Sequence, residues 1–395
     1  MINRRRFLQT TGAVISGSLA AKYVTEEAMA AVATPQYLVP FTDSKFGTKV
    51  VKVSNPNNAV PGLGLTWASV AIHHYSIDEP WNADQTLVRL DRGTTPKVFL
   101  DGNTYKPLFA LKAPGDIRWH RTQPDLMVFL SSKGVGYWNV RKNTLQVLNP
   151  LSGYTGANYG DSKGNLSDDG KTLAILATRA DGKTVAFAYN LETGQKHADI
   201  DLSGEYQVGW TTISPKGTYI VIYSQRLSTD PYQRRRVFTI DGKLVQTWSE
   251  YERPGHGDFM VDSNGDEVAI GRSKSDPDAY RMIKRRLVDG KVTVISPPCY
   301  ASHTSARNLH NPGWAFASFT PSAGNSGYAP YANEITAVAT DGSMNVRRFA
   351  QHNSVPNGYY TEPHGAPSPD GKKVIFDSNW GVASGPIAAY VAEIA

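Results

Sequence analysis

Seven tight-turn signals at near-regular spacing, each followed by a short strand of alternating apolar residues, predict an all-β chain closed as a seven-bladed β-propeller. The turns are Trp81-Asn82-Ala83-Asp84 before TLVRL, Gln123-Pro124-Asp125 before LMVFL, Ser167-Asp168-Asp169-Gly170 before KTLAIL and Ser214-Pro215-Lys216-Gly217 before TYIVIY. They continue with Asp262-Ser263-Asn264-Gly265 before DEVAIG, Asn311-Pro312-Gly313 before WAFASF and Ser368-Pro369-Asp370-Gly371 before KKVIF. Gly, Pro, Asn and Asp set the backbone angles of a tight hairpin, and a spacing of about 40 to 57 residues is the length of one four-stranded blade. Closing the blades into a ring leaves only short protected edges, where an open sheet would expose long ones. A two-sheet sandwich array would also give short strands, but no fixed period.

The remaining elements follow in chain order. Asn3-Arg4-Arg5-Arg6-Phe7-Leu8-Gln9, the weakly apolar TTGAVISGSLAA and then Ala28-Met29-Ala30 read as a twin-arginine signal peptide over residues 1–33. Its apolar run is too short to span a bilayer permanently, so the expectation is a periplasmic or secreted protein with no membrane attachment after removal of the signal. The propeller then occupies residues 34–395. Residues 46–53 (FGTKVVKV) form a strand ahead of the first repeat, and the final strand, Ala388 to Ile394, is only the third of its blade. The N-terminal strand is therefore expected to complete the last blade. With no linker or low-complexity tract, one domain and a monomer are expected.

Cys299 is the single cysteine, which excludes an intramolecular disulfide and leaves it buried, reactive or a ligand. The formal charge is +6; residues 1–31, with four basic and two acidic side chains, hold +2 of it, leaving +4 on the rest. A mildly basic exported protein suits an anionic partner. Nucleic-acid binding is unsupported, because the Arg234-Arg235-Arg236 run is short and reads as a solvated loop.

In each blade the innermost strand runs into the turn, and the loop after each blade returns the chain to the opposite, top face. Residues ahead of a turn should therefore meet near the axis at the top. His74, His120, His256, His303 and His364 take such positions; Tyr154 and Tyr159 join them, as do Arg179, Tyr223, Arg226 and Arg272 after the second strands. Convergent titratable groups in a concavity mark a functional site. His73, His197, His310 and His352 read as ordinary hydrogen-bonded histidines.

Two subsets differ in chemistry. His256, Cys299, His303 and His364 fall in the fifth, sixth and seventh blades, and three imidazoles with one thiol are a donor set that suits a closed, structural zinc site. The other subset, His74, His120, Tyr159, Arg179 and Tyr223, has no carboxylate pair of the kind glycoside hydrolysis needs. It suits proton abstraction beside a carboxylate: Arg holds a uronate bidentately, and His or Tyr takes the C5 proton and returns one to the departing O4.

His73-His74-Tyr75-Ser76 with WNAD, GANYGDSKGNLSDDGK, GHGDFM, SHTSARN with PGWAFASF, and EPHGAPSPDGKKVIFDSN together make the chain resemble the propeller-type polysaccharide lyases. That group includes ulvan lyases and, more distantly, oligogalacturonate lyases. The resemblance implies β-elimination of an anionic, uronic-acid polysaccharide, ulvan first, with an unsaturated sugar at the new non-reducing end. It implies catalysis by His120, Arg179 and Tyr223, with Tyr159 and His74 beside them, and a supporting zinc bound by His and Cys. Oligogalacturonate-type members use a catalytic metal held by several histidines and a Gln; no Gln stands near His364, which ranks that mechanism second. A non-catalytic periplasmic scaffold would instead display aromatic and aliphatic anchors on the top face. A glycoside hydrolase would need two convergent acids; Asp258 and Glu362 are the candidates, and both read better as groups supporting metal ligands.

Overall fold

The computed structural model describes residues 33–160, 163–205, 208–224, 233–320 and 330–394. The expected signal peptide and Arg226 lie outside them. The described chain is a seven-bladed β-propeller. Blades 2 to 6 are four-stranded antiparallel sheets built from consecutive strands, beginning at Asp116–Trp119, Tyr154–Asn158, Val208–Ile213, Gly255–Val261 and Ala301–Ser305. Blade 1 pairs Leu87–Leu90, Lys97–Asp101 and Pro107–Leu111, and its innermost strand is reduced to the single bridge of Trp81 to Val88. The one helix among the described residues is the 3-10 turn Tyr359–Thr361, and no described helix is long and apolar enough to cross a membrane.

Blade 7 closes the ring as the sequence predicts. Its strands Ala366–Pro367, Lys373–Ser378 and Ile387–Glu393 are followed in space by Lys49–Lys52, which runs antiparallel to the last of them with Lys49 opposite Glu393 and Lys52 opposite Tyr390. A further strand, Phe41–Thr42, lies outside it, so the N-terminal segment supplies two strands rather than one. The Ser54 hydroxyl locks the seam, donating to the Ala71 carbonyl at 2.6 Å and accepting the Ala389 N–H at 2.9 Å.

One turn design recurs and explains the repeat. In the turns starting at Ser167, Ser214 and Ser368 the glycine three residues on donates its N–H back to the serine carbonyl at 2.9 Å. The same serine hydroxyl accepts the N–H five residues on, at 2.9 to 3.0 Å, which starts the second strand. Asn82 does the same for Leu87 through its side-chain oxygen. The glycines take left-handed φ of 68 to 76°, which a side chain adopts only at a cost.

Seven apolar clusters fill the spaces between blades, each mixing residues of neighbouring sheets. The axis is different: it is filled by charge. Arg307 forks onto Asp258, with Nε to Oδ2 at 2.8 Å and Nη2 to Oδ1 at 2.9 Å, and reaches Glu79 at 2.9 Å. Arg121 pairs with the same Glu79. Alongside, Asp78 takes Arg89 at 2.5 Å and lies 3.6 Å from Arg118.

The turn geometry makes a sharp comparison. Gly170 and Gly217 both have φ of 76°, but a Cβ at Gly170 would stand 2.8 Å from the His120 ring, whereas at Gly217 its nearest neighbour is 3.6 Å away. Gly217→Ala should cost only the left-handed backbone, about 1 to 2 kcal/mol, and Gly170→Ala distinctly more. Thermal unfolding of the two variants checks this; equal losses would mean that His120 yields freely.

Candidate functional site

The first residues of the innermost strands in blades 5 and 6 are irregular. Register shifts fall between Gly255 and Asp258 and between Ala301 and His303, and such bulges re-aim side chains away from the pleat. His256 sits inside the first bulge with φ of 46°, and His364, just ahead of Ala366–Pro367, has φ of 48°. For imidazole residues this left-handed backbone is strained. It is held from outside: the Thr304 hydroxyl donates to the His256 carbonyl at 2.7 Å, and His73 Nε2 donates to the His364 carbonyl at 2.8 Å.

These devices bring three imidazoles together at the top of the axis. The ring of His303 lies 5.0 Å from that of His256 and 4.3 Å from that of His364. Glu362 hydrogen-bonds His303 Nε2. Ligand atoms of His303, Glu362 and His364 all lie within 4.8 Å of one another. Asp377 orients His364, accepting from its Nδ1 at 3.3 Å, while its other oxygen takes His73 Nδ1 at 3.1 Å. Burial works against a charge on His73, but Asp377 and the His364 carbonyl outweigh it and hold its pKa above the ordinary value.

Two nitrogens of the cluster are left over: His303 Nδ1 and His364 Nε2 are buried with no hydrogen-bond partner. An orphaned buried nitrogen is costly, and His364, whose other nitrogen is fixed by Asp377, has the usual form of a metal ligand; at His303 it is the nitrogen facing Glu362 that shares a site with that carboxylate. The donor set of two imidazoles and a carboxylate therefore fits a divalent cation of the imidazole- and oxygen-binding kind.

A cavity of about 570 Å³ opens beside the cluster, lined by His256, Arg272, Tyr300, Tyr359, Thr361 and Glu362 among others. The Arg272 guanidinium lies 3.9 Å over the Tyr300 ring and donates to the Ala301 carbonyl at 3.3 Å; among the described residues no carboxylate pairs with it. Burial, then Arg272, Lys274, Arg253 and Lys163, depress the pKa of His256, so it stays neutral and basic in form. Burial and the neighbouring imidazoles likewise push His303 well below the ordinary value. Burial raises Tyr359 to about 12, keeping its phenol protonated. The cavity thus presents one guanidinium, one carboxylate and one neutral imidazole exposed in its wall, with Lys274, Arg253 and Lys163 acting on that imidazole from outside the lining.

The structure divides the residues singled out by sequence. His256, His303 and His364 meet; Cys299 does not join them. Its thiol is fully buried in the apolar cluster with Met260, Ile270 and Met282, bonded to Ser296 at 3.2 Å, and burial raises its pKa to about 11. Glu362 takes the place that the thiol was expected to fill, which removes the basis for a closed Cys-His zinc site. Asp258, expected to support a metal ligand, instead holds Arg307 on the axis.

The expected catalytic set is not brought together either. His120 follows the end of Asp116–Trp119 and folds back onto its turn, its Nδ1 accepting the Thr122 and Gln123 N–H groups at 3.3 and 3.2 Å. That puts it at the turn face, opposite the histidine cluster. Arg179 is exposed and taken up by Asp181 and Asp199. Tyr223 stacks on Trp210 at 5.9 Å under Arg253. Tyr159 is wholly buried, its ring 4.7 Å under Arg118. His74 is tied to Asp78 at 2.9 Å in the axial ion cluster. The expected solvated arginine run lies in the strand Gln233–Thr239, where Arg235 is buried between Trp210 and Phe259. Sequence reasoning missed Glu362 as a direct donor, Asp377 as its partner's orienter, and Tyr359; the Glu-Pro-His spacing was the available signal for the first.

No protein-family model and no curated protein matches the chain. Among solved structures it is similar to an oligogalacturonate lyase in complex with manganese, with a TM-score of 0.63 at 15% identity over 92% of this chain and 97% of that one. It is also similar to an oligogalacturonate lyase from Vibrio parahaemolyticus, with a TM-score of 0.59 at 13% identity over 90% and 96% of the two chains. At this identity the likeness establishes the propeller fold.

Two outcomes follow from the burial just described. Cys299→Ser should lower thermal stability by about 1 to 2 kcal/mol, the cost of a hydroxyl in an apolar site, without changing cation uptake by the histidine cluster in a metal titration. A parallel loss of uptake would return the thiol to the site. Beside the axis, burial raises Asp168 from 3.8 to about 6 against the pull of Arg121 and Arg307. The folded state thus binds this proton more tightly than the unfolded state, and the group destabilises the fold as pH rises through that window. Asp168→Asn should therefore gain in melting temperature over the parent between about pH 4 and pH 7; a pH-independent difference would refute the assignment.

Proposed function

We propose that this protein is a cation-assisted lyase that cleaves short uronate oligosaccharides by β-elimination, leaving an unsaturated uronate at the new non-reducing end. The observation that carries this reading is the meeting of His303, His364 and Glu362 beside a cavity that Arg272 lines, with two imidazole nitrogens unpartnered. The fold likeness to an oligogalacturonate lyase in complex with manganese supports it. The ulvan reading relied on His120, Arg179 and Tyr223 acting together, and those side chains stand apart, so the oligogalacturonate type is preferred.

His303, His364 and Glu362 would hold a divalent cation; two imidazoles with a carboxylate suit zinc as well as manganese, and manganese is put first only because the similar lyase structure is a manganese complex. When bound, such an ion neutralises a substrate carboxylate and makes the adjacent C5 proton more acidic. The chain's own groups supply the rest. Arg272, unpaired by any described carboxylate, holds the uronate by its planar fork. His256, exposed in the cavity wall with no described hydrogen-bond partner on its ring, takes the C5 proton. The Tyr359 phenol, whose ring lies 4.9 Å from that of His364, returns a proton to the departing O4. The twin-arginine leader read in the sequence makes the periplasm or the exterior the proposed workplace.

The test uses metal-stripped protein resupplied with manganese or zinc and offered oligogalacturonates, polygalacturonate, ulvan and alginate, with ultraviolet absorbance of the conjugated uronate as readout. His303→Ala and His364→Ala should each weaken cation binding by more than the about 10- to 100-fold that loss of an outer partner such as Asp377 costs. His256→Ala should keep the cation and lose about 10²- to 10⁴-fold in turnover, and Arg272→Lys should raise KM. No absorbance change on any of these substrates with either cation would overturn the reading.

A further inference from the structure

Outside the cavity lining, the rim repeats one chemical pairing. Arg272 lies over Tyr300 on one side of the histidine cluster; on the blade 1 side, the Arg92 guanidinium lies 5.3 Å from the Tyr360 ring, with Nη1 3.5 Å from its hydroxyl. Arg92 follows Leu87–Leu90 at the top of blade 1, and Tyr360 belongs to the 3-10 turn ahead of blade 7. Among the described residues no carboxylate lies within ion-pair distance of Arg92, and its Nε and the neighbouring Thr94 hydroxyl are buried without a hydrogen-bond partner. Most arginines of the axis and of the blade edges are neutralised by a carboxylate; this one stands at a rim unneutralised.

The aromatic side is equally unspent. Tyr359 and Tyr360 are 47% and 39% exposed, among the largest exposed apolar side chains of the protein, and stand edge to face at 5.4 Å. Tyr359 faces His364 at 4.9 Å, so the two phenols step outward from the cluster to Arg92. An exposed aromatic face stacks on the C–H face of a sugar ring, and a planar guanidinium takes a carboxylate.

We propose that Tyr360 and Arg92 form a second uronosyl subsite, binding a sugar of the same oligosaccharide displaced along the chain from the one held at Arg272. This rests on the uronate reading above and adds to it a direction: substrate extends from the cavity over the 3-10 turn toward blade 1. It also sets a length preference, because only an oligomer long enough to reach Arg92 gains the second carboxylate contact.

The experiment is calorimetric binding of digalacturonate and tetragalacturonate to the full protein, with His256→Ala as background so that substrate is not consumed. The tetramer should bind more tightly than the dimer. Arg92→Ala should weaken the tetramer by about 10-fold or more, the worth of one charge-assisted hydrogen bond, and leave the dimer within about twofold. Tyr360→Ala should act likewise and Tyr360→Phe should restore binding, since the stacking face is kept. Arg347→Ala, which removes an arginine 3.9 Å over Trp314 at the far end of blade 6, is the control and should change nothing. Should the Ala variant fail to fold by circular dichroism, Arg92→Gln gives the same reading. A tetramer that binds the background protein but is indifferent to Arg92 and Tyr360 overturns the subsite and leaves the lyase reading standing. If neither oligomer binds at all, the lyase reading falls and the subsite with it.

Discussion

One guanidinium on the propeller axis governs where everything else can sit. Arg307, at the end of blade 6's innermost strand, grips Asp258 of blade 5 with two parallel bonds and reaches Glu79 on the approach to blade 1, which Arg121 of blade 2 also engages. All four are almost wholly buried. A buried pair of this kind adds little net stability, but stranding one member costs about 3 to 5 kcal/mol. The cluster therefore works as a register pin. Asp258 lies two residues beyond His256, and Arg307 four beyond His303, so the fork that fixes the axis also fixes the spacing of the imidazoles above it.

The sequence made the ring legible because its turns are chemically explicit. A serine or asparagine oxygen capping the next strand, with glycine three residues later, leaves the same mark at Ser167, Ser214 and Ser368, and the period between marks is the blade. The site was half legible. His256, His303 and His364 declared themselves by position, whereas His120 and Cys299 misled. His120 was placed by its distance from a turn, and that distance does not say which end of a short strand a side chain occupies; Cys299 was placed by its donor chemistry four residues ahead of His303, which does not say that the thiol faces the axis. His120 stands three residues ahead of Gln123, close enough for its ring to cap the turn itself. Cys299 precedes Ala301–Ser305 and falls into the layer between blades, where a thiol is simply a small apolar group. Bulges, which re-aim His256 and His303, leave no compositional trace.

Charge is partitioned by depth. Along the axis, arginines and carboxylates are matched and sealed, and their fields largely cancel. At the top, Arg272, Lys274, Arg253 and Lys163 all bear on His256, while Glu250 neutralises only part of that set. The surplus lies where an incoming anion would meet it, and there an unpaired cation acts on association and orientation.

The seam has a consequence in time rather than in space. Lys49 and Glu393 are partners separated by 344 residues of chain. At ribosomal speed the first strand of that pair waits roughly 20 to 70 s for the second to emerge. During that interval Lys49–Lys52 offers a free edge to any passing strand, and the blades already made form an open arc with unfilled faces at both ends. Contacts so distant in sequence are also the slowest to form. Aggregation during synthesis, more than loss of the finished ring, is thus the hazard that this architecture carries.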